Sequence, residues 1–139
     1  MVDPRPDDPP ALLFFAFRRL TEEPDRVLAA RGLGRVHHRI LYFVARNPTV
    51  HIGGLLEILQ VSKQALHRPL RQLVRRGLVS STVSPVNRRS KQLALTREGR
   101  ALELRLTGSQ RRRFARVFRE VGPEIEVAWR KVMRRLSEP

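Results

Sequence analysis

Apolar residues recur at helical spacing over most of this 139-residue chain, and at strand spacing over one stretch past its middle. Apolar side chains three or four positions apart predict α-helices, which we place at residues 9–31, 35–46, 52–59 and 63–76, with two more starting at 97 and 123. Leu78–Val83 is rich in Val, Ser and Thr, and Lys91–Leu95 alternates polar with apolar residues, so both predict β-strands. We therefore expect a mainly α fold with a small β-hairpin.

Local signals set the ends of the predicted helices. Residues 1–8 are polar and proline-rich, which is typical of a disordered tail. Asp8 can cap a helix that opens with Pro9-Pro10, since the first helical position needs no N–H bond. Pro24 is expected to kink or restart this helix, and Gly108 to bend a later one.

The middle of the chain has the element order of a winged helix-turn-helix. A short helix, the turn Gln60–Ser62, a second helix and the hairpin follow one another. In such a module the second helix enters the major groove, where Arg and Lys suit guanine and Gln suits adenine, while a serine at the helix start suits a phosphate. Taken singly, each outward residue could equally be a solvated surface side chain. The set is Ser62, Lys63, Gln64, His67, Arg68 and Arg71.

Charge supports a nucleic-acid partner. The formal net charge is +15, and the forty residues from Ile58 to Arg97 contain no acid. A one-sign block is often disordered, but this one is full of regularly spaced Leu and Val, so we expect a folded positive surface. Such a surface favours a polyphosphate because each neutralised phosphate releases counterions. The alternative is a basic protein with no special partner.

Composition excludes several other classes. The chain has no cysteine, so disulfides, thiolate metal sites and cysteine nucleophiles are excluded. Its N-terminus lacks the pattern of a signal peptide, and the longest apolar run, Ala11–Phe17, is too short to span a bilayer. We expect a cytoplasmic protein without a membrane partner. Because no catalytic constellation or phosphate-binding glycine loop is present, we expect no enzyme activity and no cofactor.

The terminal helices carry more apolar surface than a chain of this size needs. From Ile125 to Leu136 apolar residues fall at helical spacing along one face. This stripe predicts a homodimer built from the terminal helices, with packing inside one chain as the alternative. We therefore expect one domain over 9–139, with a DNA-binding lobe at about 36–100 and dimerisation helices at about 9–31 and 101–137.

Two stretches resemble the MarR family of bacterial transcription regulators. The first runs from Val61-Ser62-Lys63-Gln64-Ala65-Leu66 through Leu70 and Leu73 to Gly77-Leu78-Val79. The second is Asn87-Arg88-Arg89 followed by Leu93-Ala94-Leu95-Thr96-Arg97-Glu98-Gly99, which is similar to the family's wing signature of Asp-Arg-Arg before Leu-x-Leu-Thr-x-x-Gly. The resemblance covers about residues 11–136.

The resemblance implies a dimer with two DNA-binding lobes, whose wings contribute Asn87, Arg88, Arg89 and Lys91. Arg89 would be the arginine that enters the minor groove. Asn87 stands where the family usually has Asp, and it can hydrogen-bond but cannot hold an arginine by charge. Pro69 is a second departure, because it removes the helix bond to the carbonyl of Ala65 and is expected to kink the recognition helix.

Members of this family are often released from DNA by small aromatic or anionic molecules. By the same resemblance, the effector region would contain Phe14, Phe17, His37, His38 and Tyr42. The paired histidines suggest recognition of an anion. A metal is a weaker alternative, because adjacent helix residues point about 100° apart. A third possibility is a structural pair, with His37 satisfied in the core and His38 partly exposed.

The chain is therefore predicted to be a sequence-specific regulator of transcription, acting as a ligand-responsive repressor on a pseudo-palindromic operator in double-stranded DNA. The alternative function is a sequence-indifferent architectural protein that binds nucleic acid.

Overall fold

The structure, a computed structural model, describes residues 7–139. Six helices and a two-stranded sheet follow one another, which confirms the mainly α fold with a hairpin. Residues 1–6 of the expected tail lie outside the described part. The elements are α1 Pro9–Ala29, α2 Arg35–Arg46, α3 Ile52–Leu59, α4 Lys63–Arg75, β1 Val79–Val83, β2 Lys91–Leu95, α5 Arg97–Val121 and α6 Pro123–Leu136.

Ser62 and Thr96 cap the starts of α4 and α5, whereas the cap expected at Asp8 does not form. The Ser62 hydroxyl accepts from the Ala65 N–H at 3.0 Å, and the Thr96 hydroxyl accepts from the Gly99 N–H at 3.0 Å. The Asp8 side chain makes no capping bond, and the first turn of α1 relies on its prolines instead.

Helix α1 continues through Pro24, so the restart, one of the two outcomes expected at this proline, does not occur. Proline lacks an N–H, so the carbonyl four residues earlier, that of Leu20, loses its helical donor. The side-chain amide of Gln110 in α5 donates to this carbonyl at 3.3 Å. A neighbouring helix thus replaces the missing bond, and α1 continues to Ala29. Helices α4 and α5 likewise run unbroken through Pro69 and Gly108.

The hydrophobic core lies in the middle of the chain. Its fourteen buried apolar residues all fall between Leu28 and Leu106. Helix α2 supplies Ile40, Leu41 and Val44, which pack among side chains of α4, the hairpin and the first half of α5. The core therefore joins α5 to the helix-turn-helix. The full set is Leu28, Leu33, Ile40, Leu41, Val44, Leu55, Leu66, Leu70, Leu73, Leu78, Val79, Leu93, Leu102 and Leu106.

The hairpin is antiparallel, with Val79 opposite Leu95 and Val83 opposite Lys91. A third segment extends this sheet, because His51 forms an isolated bridge with Gln92. Next to it the Leu93 N–H donates to the Val50 carbonyl at 2.8 Å. The hairpin is thus attached to the loop before α3 and held close to the helix-turn-helix.

The terminal helices leave much apolar surface uncovered. No residue of α6, all of which the structure describes, is buried. Exposed apolar side chains lie along the first half of α1, the second half of α5 and α6. They include Leu12, Leu13, Phe14, Phe17, Val117, Val121, Ile125, Val127, Trp129, Val132 and Leu136. No helix among residues 7–139 combines the length and apolarity needed to cross a membrane.

Candidate DNA interface and adjoining cavity

Helix α4 has one buried face and one open face. Leu66, Leu70 and Leu73 point into the core. The opposite face is exposed, and it carries all six recognition-helix residues singled out from the sequence, Ser62, Lys63, Gln64, His67, Arg68 and Arg71. This face can enter a groove without unpacking the protein.

The start of α4 presents backbone donors as well. Gln60 adopts left-handed angles, with φ 51° and ψ 46°, and so turns the chain sharply between α3 and α4. Ser62 Oγ is used by the Ala65 N–H. The N–H groups of Lys63 and Gln64 have no acceptor within the helix, as is general for a first turn. Together with the Lys63 side chain, they form an end of α4 that suits a phosphate.

Ser84 organises the tip of the wing, a role that the sequence did not indicate. Its side chain is buried, and its hydroxyl accepts from the backbone N–H groups of Val86 at 3.2 Å and Asn87 at 3.3 Å. The Ser84 N–H donates to the Ser90 carbonyl at 2.9 Å, which closes the loop. The signal for such a hydroxyl is weak in sequence, because serine is common in every polar loop.

Asn87 stabilises the same turn. Its side-chain oxygen accepts from the Arg89 N–H at 3.1 Å, and its carbonyl accepts from the Ser90 N–H at 3.0 Å. The exposed side chains of Arg88, Arg89 and Lys91 extend from this turn. An amide can therefore shape the backbone of the wing as an aspartate would, without adding a negative charge beside the arginines.

The tip of the wing is also held by a side-chain contact with the start of α3. Ser90 Oγ lies 2.8 Å from His51 Nδ1, in the segment that pairs with β2. None of the nine cations between Ile58 and Arg97 forms a salt bridge within residues 7–139. Their charge is not neutralised internally, so the surface made of α4 and the wing keeps a one-sign field.

The residues of the expected effector region do not form one cluster. His37 is buried; its Nδ1 accepts from the Gly34 N–H at 2.9 Å, so its Nε2 donates to Gln72 Oε1 at 2.8 Å. His37 therefore connects α2 to α4 as a structural residue. Phe14 and Phe17 lie on α1 with exposed rings.

His38 and Tyr42 point towards α5 instead. His38 Nε2 lies 3.1 Å from Thr107 Oγ1, and the Thr107 hydroxyl donates to Glu103 Oε1 at 3.1 Å. Glu103 is buried and accepts from Arg46 Nη1 at 2.5 Å. The Arg46 guanidinium stacks on the Tyr42 ring, 3.6 Å from its centroid. These side-chain contacts join α2 to α5.

A cavity of about 900 Å³ opens beside these polar contacts between α2 and α5. Tyr42 and Thr107 form its end towards α2, and an aromatic cluster of Phe114, Phe118 and Trp129 forms its wall, with ring centroids 5.3–5.6 Å apart. Three arginines also line it, namely Arg111, Arg119 and Arg130. Within the described chain, no three histidine or carboxylate side chains come together in a group that could hold a metal ion.

Comparison with known proteins identifies the family. The model of the MarR family matches residues 31–90. The HTH-type transcriptional regulator PetP of Rhodobacter capsulatus is 39% identical over 127 residues, which cover 91% of this chain and 76% of the relative. The chain belongs to the MarR family of transcriptional regulators. The family predicted from the sequence is thereby confirmed.

Solved structures of MarR-family proteins share the fold. The transcriptional repressor CouR bound to a 23-mer DNA duplex gives a TM-score of 0.72 at 25% identity, over 92% of this chain and 91% of that one. The MarR family protein Rv2887 of Mycobacterium tuberculosis, in complex with p-aminosalicylic acid, gives 0.62 at 25% identity, over 91% and 96%. The winged helix-turn-helix is thus confirmed, while the individual contact residues stay predictions.

Proposed function

We propose that this MarR-family regulator binds a pseudo-palindromic operator as a homodimer and represses transcription until a small aromatic or anionic effector releases it. The observation that carries the proposal is the exposed, acid-free surface made of α4 and the wing. The similarity to CouR, solved on a DNA duplex, supports a duplex rather than another polyanion as its target.

The two parts of this surface have different roles in the proposal. Gln64, Arg68 and other outward residues of α4 contact base edges and supply sequence specificity. Arg89 enters the minor groove, and Ser62 with the first N–H groups of α4 holds a phosphate. Lys63, His67, Arg71, Asn87, Arg88 and Lys91 complete the contact set.

Dimerisation is proposed from the uncovered apolar faces of α1, α5 and α6. A second copy of the chain would bury these faces and set the distance between the two recognition helices. Two such helices fit successive major grooves when their half-sites are about one helical turn apart. An effector would act by binding the dimer more tightly at one distance between the two recognition helices than at another.

The effector is proposed to bind at the end of the cavity formed by Tyr42 and Thr107, within reach of His38. The relative with p-aminosalicylic acid supports a small aromatic acid as the class of ligand. Phe14 and Phe17 would contribute from α1 once a dimer forms. His37 stays in the proposal only as a support for His38, since both of its ring nitrogens are occupied.

The decisive experiment measures binding to the duplex upstream of the protein's own gene against a scrambled duplex, at about 150 mM salt, where phosphate contacts are weakened. A specific regulator exceeds random-duplex affinity by roughly a thousandfold. If neither this duplex nor any site selected from a random library bound more tightly than the scrambled duplex, the sequence-indifferent architectural alternative would be favoured.

Variants make the test specific to the proposed surface. Arg68→Ala should cost about 1–3 kcal/mol of binding and relax sequence preference, whereas Arg89→Ala should weaken binding to all duplexes. Arg134→Ala removes the same charge from an exposed position on α6 and should leave binding nearly unchanged. Equal losses for all three variants would mean that net charge, not this surface, holds the DNA.

Regulation by occlusion of a promoter needs binding but no catalysis, so we propose a cytoplasmic DNA-binding protein that is not an enzyme. Its relatives are transcriptional regulators, which supports this view.

A further inference from the structure

Val86 stands at the tip of the wing and is the most exposed large apolar side chain among residues 7–139, with 93% of its surface accessible. Most of the others lie on α1, the second half of α5 and α6, the helices proposed to form the dimer. Val86 is in the wing instead, so that interface does not include it. A lone exposed valine is common on protein surfaces, and its role depends on where the fold holds it.

The backbone on both sides of Val86 is held in place by hydrogen bonds. The Val86 N–H donates to Ser84 Oγ at 3.2 Å, and the next N–H, that of Asn87, donates to the same oxygen at 3.3 Å. The Ser84 N–H closes the loop by donating to the Ser90 carbonyl, and His51 contacts Ser90 from outside the hairpin. The valine is therefore presented by a preformed loop, which loses little conformational entropy when it meets a partner.

The neighbours of Val86 direct it to DNA. Arg88 and Arg89 follow it in the same loop, and both are exposed and form no salt bridge within residues 7–139. Such cations bring the loop to phosphates. When Arg89 enters the minor groove, as proposed above, the closed loop carries Val86 to the same groove.

The floor of the minor groove distinguishes the two kinds of base pair by a single group. Both kinds present acceptors there, and only G·C adds a donor, the 2-amino group of guanine. A valine packed against the floor cannot accept a hydrogen bond from this amino group, so it removes water from the donor without replacing it. An apolar side chain in the groove therefore disfavours G·C at the pair that it contacts.

We propose that Val86 is a specificity-determining residue of the wing, which packs against the floor of the minor groove and selects A·T over G·C there. The inference rests on the proposed operator binding. It separates two roles within the wing, because Arg88 and Arg89 supply affinity through charge while Val86 supplies sequence preference. The selected pairs should lie about half a helical turn, ~5 base pairs, from those that α4 contacts, since the two grooves alternate along one face of the duplex.

The test uses the tightest-binding duplex that the full chain selects from a random library, with a scrambled duplex as the reference. Each A·T pair of the selected duplex is replaced in turn by G·C and by inosine·C. Inosine lacks the 2-amino group, so inosine·C resembles A·T in the minor groove and G·C in the major groove. At the pair that Val86 contacts, wild type should bind the G·C duplex roughly tenfold more weakly than the inosine·C duplex.

Val86→Ala is the main variant, because it shortens the side chain but keeps the backbone bonds of the loop. It should reduce the ratio of inosine·C to G·C affinity at that pair to below about twofold. Val86→Ile keeps an apolar side chain of at least the same reach and should retain the discrimination. Val83→Ala changes a valine that is 56% exposed in the same hairpin but outside the loop, so it is the matched control and should keep the wild-type ratio.

The proposal would be overturned by a ratio near one at every pair for wild type, or by a wild-type ratio that persists in Val86→Ala. A ratio that is lost in Arg89→Ala but kept in Val86→Ala would assign the preference to the arginine instead. The same titrations compare the selected with the scrambled duplex. A protein that keeps this preference but fails the other tests remains a specific regulator, whereas a protein without it loses the proposed function as well.

Discussion

Gly99, in the wing signature, illustrates how a single residue can be fixed by its surroundings. It is buried at the start of α5, where a Cβ atom would lie 1.9 Å from the Leu78 carbonyl oxygen. The Thr96 hydroxyl also donates to the Gly77 carbonyl at 2.6 Å, which holds α5 against the entry to β1. The helix and the hairpin can approach this closely only without a side chain at position 99.

Gly99→Ala is therefore expected to destabilise the protein by about 2–4 kcal/mol, because the backbone of α5 must move away from β1. Gly53→Ala is the matched control. Gly53 is an exposed helical residue whose added Cβ would meet nothing within 4 Å, so this variant should be neutral or gain up to about 1 kcal/mol. Urea unfolding of both variants measures the difference; similar stabilities would refute the close packing.

The sequence predicts which side chains are exposed better than it predicts their hydrogen-bond partners. The recognition-helix residues could be selected because their exposure follows from helical period alone. The pair of partners that holds His37 could not be predicted, because one of them, Gln72, lies 35 residues away in sequence. The roles of Ser84 and Glu103 were missed for the same reason, because a buried hydroxyl or carboxylate becomes visible only when the chain is folded around it.

At the scale of elements, boundaries followed local chemistry closely. The cap residues Ser62 and Thr96 and the breaks at Gly77 and Gly122-Pro123 act within a few residues of themselves, so sequence places the helix ends well. Continuity through Pro24 depends on a donor from another helix, and no local pattern contains that information.

Pro69 likewise deprives a carbonyl of its helical donor, here in the recognition helix. It removes the hydrogen bond to the Ala65 carbonyl, but Ala65 is exposed and water can bind that carbonyl. We expect Pro69→Leu to raise the melting temperature, by the equivalent of up to about 3 kcal/mol. Pro9→Ala, at the first helical position of α1, should have little effect. No gain for Pro69→Leu in a thermal melt would mean that α4 already accommodates proline.

The ion pair of Arg46 and Glu103, which joins α2 to α5, supports a second prediction about how the elements pack. Arg46→Met leaves Glu103, which is 2% exposed, as a buried carboxylate without its cationic partner. We expect a loss of about 3 kcal/mol in the free energy of unfolding. Glu103→Gln should cost less, because the amide oxygen can still accept from Thr107.

A double variant completes this measurement. Arg46→Met combined with Glu103→Met should be less destabilised than the sum of the single variants, since no charge remains buried. Arg39→Met removes an exposed arginine from the same helix and serves as the control. Additive losses in chemical denaturation would show that Arg46 and Glu103 are not energetically coupled.

At the scale of the whole molecule, the apolar stripe of α6 predicts assembly. Ile125, Trp129, Val132 and Leu136 share one side of the helix at 100° per residue, while Val127 lies on the opposite side. Val132 and Val127 are similarly exposed, at 61% and 68%. They therefore permit the same substitution on two faces of one helix.

Val132→Asp is expected to shift the protein towards monomers and to weaken operator binding by at least about tenfold, because a monomer engages only one half-site. Val127→Asp should leave both properties close to wild type. Sedimentation velocity and a titration with operator duplex measure the two effects. Equal behaviour of the two variants would place the dimer contact elsewhere on the molecule.

The bond between Gln110 and the Leu20 carbonyl has a consequence for how this chain can evolve. The amide compensates for a proline, so a lineage that replaces Pro24 by a residue with an N–H restores the helical bond and frees position 110 to change. Loss of Gln110 while Pro24 remains leaves a carbonyl without its donor. The two positions, 86 residues apart in sequence, should therefore be inherited as a pair, with substitution at 24 preceding substitution at 110.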